Sequence, residues 1–229
     1  VPVTELLALL RSPKRGAPLV LASGRLPVAV GTVLVATAVA AVSAARFAAD
    51  VPVGSVLYGP DRSPAIATLI DLLGRDRAAI IGYLVEQVWT AAIVVTAFSP
   101  LLFWVLGATA VHAAARLDGA RRPFRPMFVL LGYATALTRI PADGAAAVLG
   151  SGRTAGAQVA QLIGMACLVW LAVITWRAIE AHYTLPPRRA FVVLVIAMVV
   201  FYVVPLALII GAAIAILVAA ILLNYVPGL

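Results

Sequence analysis

Two charged residues four positions apart, Arg139 and Asp143, lie inside a long apolar run and are the strongest candidates for chemistry in this sequence. A charged side chain in apolar surroundings costs free energy, so it requires a partner or a function. If one helix continues through Pro141, both groups share a face and could form a buried ion pair. If the helix ends at Pro141, Arg139 reaches a polar surface and Asp143 lies in a loop. The sequence favours this second alternative, because proline disfavours helical geometry in the residue before it.

The other reactive side chains offer no catalytic set. His112 and His182 each fall near the end of an apolar run, and a zinc site would need further Cys or carboxylate ligands beside them. The single Cys167 has no second cysteine to pair with. The sequence contains no phosphate-binding glycine loop, no serine-nucleophile turn and no zinc-protease motif. We therefore expect no enzyme activity, no metal and no cofactor.

The elements that must position Arg139 and Asp143 are long apolar runs separated by short charged segments. Hydrophobic residues make up 64% of the chain and charged residues 11%, and the mean hydropathy is +1.09. About 20 apolar residues cross a hydrocarbon core as a helix, so five runs qualify as spanning helices. They are residues 27–45, 88–111, 127–149, 158–176 and 191–223. The predicted fold class is all-α, a polytopic membrane helix bundle with five transmembrane helices.

Basic residues cluster in three of the segments outside these runs, and this predicts the orientation of the chain. Short loops rich in Arg and Lys stay on the cytoplasmic side of a membrane. The basic segments precede the first run, join the second run to the third, and join the fourth run to the fifth. The N-terminus is therefore predicted to be cytoplasmic and the C-terminus outside. The arginines expected at lipid headgroups are Arg121, Arg122, Arg125, Arg188 and Arg189. Topology and anionic lipid account for the net charge of +8, so no nucleic-acid binding is expected.

The predicted organisation is a cytoplasmic interfacial segment at residues 1–26 and a transmembrane bundle at residues 27–229, with an outer amphipathic loop at residues 50–86. In that loop, four apolar residues follow the i, i+3, i+4, i+7 spacing of one helix face. They are Ile66, Leu69, Ile70 and Leu73. This helix is expected to lie on the outer membrane surface, against another protein, or over the outer ends of the bundle.

The last apolar run is longer than a bilayer requires. A straight helix over residues 191–223 would measure about 50 Å, against about 30 Å of hydrocarbon. Pro205 removes a backbone donor from this run, which permits a kink, a tilt or a division into two segments. A kinked helix that projects beyond the outer leaflet towards an apolar partner is the favoured interpretation.

Small residues recur at four-residue spacing on three predicted helices. Such faces let helices approach closely in lipid, where the hydrophobic effect does not hold them together. The three faces are Thr32, Ala36, Ala40 and Ala44; Gly156, Ala160 and Gly164; and Gly211, Ala215 and Ala219. We expect them to be contact surfaces, either within the bundle or with a partner chain.

A succession of features in the middle of the chain carries a family resemblance. It comprises Phe103 near the end of the second run, Gly119 and Phe124 in a basic loop, Gly132-Tyr133-Ala134, Pro141, and the exit Trp176-Arg177. This order resembles the bacterial branch of the Yip1-domain membrane proteins. The resemblance implies a non-catalytic role in membrane organisation through contacts with other membrane proteins. The Ala- and Arg-rich composition further suggests similarity to the Yip1-like proteins of mycolate-bearing bacteria, some of which resemble accessory subunits of mce-type ABC lipid importers.

Two functions remain open from the sequence. The leading hypothesis is a non-catalytic subunit of the bacterial inner membrane, which binds other integral membrane proteins and phospholipids in a lipid-transport assembly. The alternative is a lipid or ion transporter, or a scramblase, in which Arg139 and Asp143 line a polar path.

Overall fold

The computed structural model describes residues 3–51, 75–150 and 154–203, together with Thr68, Leu206 and Gly211. The regular elements in these ranges are all α-helices. Their bounds are α1 Val3–Arg11, α2 Pro13–Ser23, α3 Leu26–Asp50, α4 Arg75–Ala97, α5 Ser99–Leu117, α6 Phe124–Leu149 and α7 Ala155–Tyr183, followed by α8 at residues 187–203. Three of them, α3, α5 and α7, are long and apolar enough to cross a membrane. The predicted amphipathic face at Ile66, Leu69, Ile70 and Leu73 and the end of the last apolar run lie outside the described residues.

The centre of the bundle is a lengthwise contact between α3 and α6, which run in the same direction. Gly132 lies beside Ala29 near the start of α3, and Gly150 lies beside Asp50 at its end. The buried small residues of α3 in this layer are Ala36, Ala40 and Ala44, each at most 1% exposed. The small-residue face predicted on the first helix thus lies inside the bundle, with Thr32 half-buried at its edge.

The residues Gly132 and Tyr133 join three helices at one level. A Cβ atom at Gly132 would lie 3.0 Å from Trp104 Nε1 and 3.1 Å from Ala29 Cβ, so only glycine lets α5 and α3 approach α6 this closely. The Trp104 indole N–H donates to the carbonyl oxygen of Phe128 at 2.7 Å. The Tyr133 hydroxyl, on a fully buried side chain, donates to the carbonyl oxygen of Arg25 at 3.0 Å. This junction gives the Gly-Tyr-Ala sequence a structural role.

Replacing Gly132 with valine is expected to destabilise the bundle by about 1–3 kcal/mol, because the added atoms overlap Trp104 and Ala29. Gly31→Val is the matched control, since a Cβ atom at Gly31 would have no neighbour within 4 Å. Denaturant unfolding of the detergent-solubilised protein, followed by tryptophan fluorescence, measures both changes. Equal midpoints for the two variants would contradict the close approach at Gly132.

The run predicted as one span at residues 88–111 is two helices, so this prediction is wrong. Helix α4 ends at Ala97 and α5 begins at Ser99, with Phe98 between them at φ −88° and ψ 1°. Pro100 explains the break, because proline lacks the N–H that a continuous helix would need and is favoured in the first turn of a new helix.

The favoured expectation that a helix ends at Pro141 is also wrong. Helix α6 continues through Pro141 to Leu149, and Gly150 then ends it with φ +83°. Thr138 before the proline and Ala142 and Asp143 after it are all buried. Packing against α3 and α7 on both sides of Pro141 therefore outweighs the local preference of the residue before a proline.

The segment predicted to be interfacial contains, over residues 3–26, two short helices, α1 and α2, and the start of α3. Ser12 separates α1 from α2, and Pro13 occupies the first turn of α2. The two helices touch at Gly16, where an added Cβ atom would lie only 2.4 Å from the Leu9 Cα atom. Leu9, Ala17 and Val20 bury their side chains, and the pair packs against α6 and α7.

Candidate functional site

Arg139 and Asp143 form an ion pair within α6. The Arg139 Nη2 atom lies 3.0 Å from Asp143 Oδ1, and the two side chains are only 16% and 11% exposed. The same nitrogen donates to Ser99 Oγ at 2.7 Å, at the start of α5. The guanidinium carbon also lies 5.4 Å from the centre of the Phe103 ring. The unbroken course of α6 through Pro141 thus brings the two charges together.

The position of the pair along the bundle follows from the parallel register of α3 and α6. Gly132 lies beside Ala29, and Gly144 lies beside Val39. Arg139 and Asp143 therefore stand level with the middle of α3, whose 25 residues measure about 37 Å. A charge pair at this depth is far from either end of a candidate membrane span. A lone charge near the middle of such a span would cost several kcal/mol.

A groove runs from the ion pair towards the end of α6, between α6 and α7, and its volume is about 320 Å³. Alanine and glycine form most of its lining, and Arg139, Asp143 and Gln161 are its polar residues, after which we call it the polar groove. Two buried atoms of the pair, Arg139 Nε and Asp143 Oδ2, have no hydrogen-bond partner among the described residues. Buried polar groups are normally satisfied, and an open groove of this size has room for water molecules beside the pair. The arrangement can therefore hold a hydrated pair of opposite charges, but it supplies no nucleophile next to a base.

The arginines predicted at lipid headgroups lie at one end of the bundle, which we call the basic end. It consists of the exposed residues Arg116, Arg121, Arg122, Arg125, Arg188 and Arg189. The ion pairs of the described residues involve none of them, and Asp118 is the acidic residue on the same loop. This surface therefore carries a strong positive charge.

Hydrogen bonds from the two histidines connect the elements that form the basic end. His182 Nε2 donates to the carbonyl oxygen of Pro123 at 2.9 Å, which joins the α5–α6 loop to the end of α7. His112 Nδ1 shares a hydrogen bond of 2.8 Å with the Tyr183 hydroxyl. Tyr183 was not identified from the sequence, where it is 71 residues away from His112. The described residues contain no group of three or more potential metal ligands.

The second small-residue face, on α7, borders the polar groove. A Cβ atom at Gly156 would lie 2.7 Å from the Leu149 carbonyl oxygen, so this glycine permits a close crossing near the end of α6. Ala160 is buried and, with Gly164, lines the groove. Gly211 of the third face is exposed, whereas Ala215 and Ala219 lie outside the described residues.

A further face of α3, not singled out from the sequence, is exposed in the part of the chain that the structure describes. Its small members are Gly31, Ala38, Ala41 and Ala45, all exposed. The larger residues between them, Leu34, Val35 and Val42, are 54%, 55% and 62% exposed. Because alanine is so common in this chain, composition could not distinguish this face, which we call the free α3 face, from the buried one.

Comparison with known protein families gives one assignment. The sequence matches the Yip1 domain over residues 7–209. The chain therefore belongs to the Yip1 domain family of membrane proteins, which is generally non-enzymatic, and the resemblance noted from the sequence is confirmed at the level of the family. Neither the curated proteins nor the solved structures contain a match to this chain.

Proposed function

We propose that this protein is a non-catalytic integral membrane subunit that binds other membrane proteins through its helices. The assembly that we propose is a lipid transporter of the mce-type ABC class in the bacterial cytoplasmic membrane. Membership of the Yip1 domain family supports a binding role. We further propose five crossings with a cytoplasmic N-terminus, since the basic end then faces the cytoplasm.

The observation that carries this proposal is the free α3 face. Gly31, Ala38 and Ala45 recur every seven residues, which is the spacing of a left-handed helix pair. Helices associate in lipid where small residues let their backbones approach, and the described chain covers the other small face of α3 but not this one. A transmembrane helix of a partner subunit would fit against it.

The double variant Gly31→Leu and Ala38→Leu tests this function. The added side chains should overpack a helix docked on the free α3 face and weaken association by about 5- to 150-fold, which corresponds to 1–3 kcal/mol. Affinity purification from the native host in mild detergent, with quantitative mass spectrometry of the retained proteins, measures the loss. Subunits of an ABC lipid importer should be among the proteins retained by the unmodified chain.

Ala166→Leu is the matched control, because Ala166 is equally exposed but lies on α7. It should retain the same partners as the unmodified protein. If the native protein is recovered alone and monodisperse, or if both variants retain the partners equally, the proposal fails.

The polar groove favours a second candidate function, in which the bundle itself transports lipid or an ion. A buried ion pair with two unsatisfied atoms at mid-depth, reached by a groove between α6 and α7, is the feature that a polar path requires. This candidate predicts flux through proteoliposomes that contain the purified chain alone. Loss of that flux when both charges are removed would distinguish it from the subunit role.

A further inference from the structure

An apolar cleft opens between α5, α7 and α8. Its volume is about 310 Å³, and residues that line it include Phe103, Gly107, Val111, Ala172, Leu194 and Phe201. Val169 and Tyr202 on its rim are 64% and 52% exposed, so the cleft is accessible from the surrounding bilayer. It is separate from the polar groove, although Phe103, at the end of the cleft farther from the basic end, contacts Arg139.

The lining and length of the cleft suit an extended hydrocarbon chain. Its lining is almost entirely apolar. Along α5, the distance from Phe103 to Val111 is eight residues, or about 12 Å. An acyl chain that lies along the cleft would therefore contact apolar side chains over this length.

The distribution of charge decides which end of the cleft receives a headgroup. At the end near Phe103, Arg139 already forms an ion pair with Asp143 and a hydrogen bond with Ser99. At the other end, Val111 and Leu194 stand about 8 Å along their helices from Arg116 and Arg189, which have no acidic partner in the described ion pairs. The Trp176 indole N–H donates to the Pro187 carbonyl oxygen at 3.0 Å, which holds the start of α8 at the basic end.

We propose that this cleft binds one acyl chain of an anionic phospholipid, whose phosphate lies among the arginines of the basic end. The lipid comes from the leaflet on that side, with its chain directed towards Phe103. This site goes beyond the subunit role and does not depend on it, because it needs only the described helices and the bilayer.

A photoreactive lipid tests the site directly. The purified full-length protein is reconstituted in nanodiscs that contain phosphatidylglycerol with a diazirine in the middle of one acyl chain, and labelled peptides are mapped by mass spectrometry. Labelling should concentrate on residues 103–111 and 194–202. Gly107→Phe should abolish most of it, because a Cβ atom at Gly107 points into open space and its ring would fill the cleft. Gly31→Phe, where an added Cβ atom is equally unopposed, should leave it unchanged.

The preference for an anionic headgroup is tested by placing the same diazirine-labelled acyl chain in phosphatidylcholine, whose headgroup carries no net charge. Labelling by phosphatidylglycerol should exceed labelling by phosphatidylcholine, and Arg188→Gln with Arg189→Gln should reduce this preference by about fivefold for each arginine removed. Uniform labelling of all lipid-facing helices, or equal labelling of the Gly107→Phe and unmodified proteins, would overturn the acyl-chain site. Equal labelling by the two lipids would overturn the role of the arginines. Gly107→Leu serves as a smaller filling residue if Gly107→Phe does not remain monodisperse.

Discussion

Replacing Arg139 alone with leucine is expected to lower the free energy of unfolding by about 3–5 kcal/mol, because the buried Asp143 carboxylate loses its counter-charge. Replacing Arg139 and Asp143 together with leucine should change stability by much less, since apolar side chains often substitute for a complete buried ion pair without loss. Denaturant unfolding of the detergent-solubilised protein measures both. The comparison separates the contribution of the complete ion pair to the free energy of unfolding from the cost of burying one charge without its partner.

The double variant also distinguishes the two candidate functions. If the pair is purely structural, the folded double variant should retain its partners in affinity purification. If the pair lies in a transport path, proteoliposomes with the double variant should lose flux while its stability is preserved. A single Arg139→Leu variant as stable as the unmodified protein would contradict the buried pair itself.

The second large effect is expected at the contact between α1 and α2. Gly16→Leu should separate the two helices, because the new Cβ atom would overlap the Leu9 backbone nitrogen and Cα atom at 2.3 and 2.4 Å. Backbone atoms cannot move aside as a flexible side chain would, so α1 must leave its site. Hydrogen exchange of the α1 amides should rise to that of an unpacked segment, while the amides at the centre of α6 remain protected.

Gly31→Leu provides the control for this change, since it adds the same side chain at an open position. Its α1 amides should exchange as slowly as those of the unmodified protein. Slow exchange of the α1 amides in Gly16→Leu would show that α1 and α2 do not cross at this glycine.

Two prolines illustrate how far the sequence determines this fold. Apolar run length predicts helices near residues 27–45, 127–149 and 158–176, where α3, α6 and α7 are found. The same local rule about proline, however, is obeyed at Pro100 and overridden at Pro141. At Pro141 the residues on both sides are buried against other helices, and that tertiary contact is not encoded in the local sequence.

The candidate sites, like the helices, could be predicted only in part from the sequence. The position of the basic-end arginines at the ends of helices could be predicted from the apolar runs, whereas their contact with lipid headgroups stays a prediction. The contacts of Arg139 with Ser99 and Phe103 depend on how α5 approaches α6, and the sequence does not give that approach. Spacing identified the face at Ala36, but the competing free face at Gly31 has the same composition. Only packing shows which of them the chain itself covers.

The length of α7 has a consequence for what an approaching soluble protein would encounter. Its 29 residues extend about 44 Å, some 14 Å more than a hydrocarbon core of about 30 Å. Helix α2 packs against α7, and the hydrogen bond from His182 to Pro123 fastens the loop that carries Arg121 and Arg122 to the end of α7. A soluble molecule with an acidic surface that approached the basic end would therefore meet arginines whose backbone is held in place.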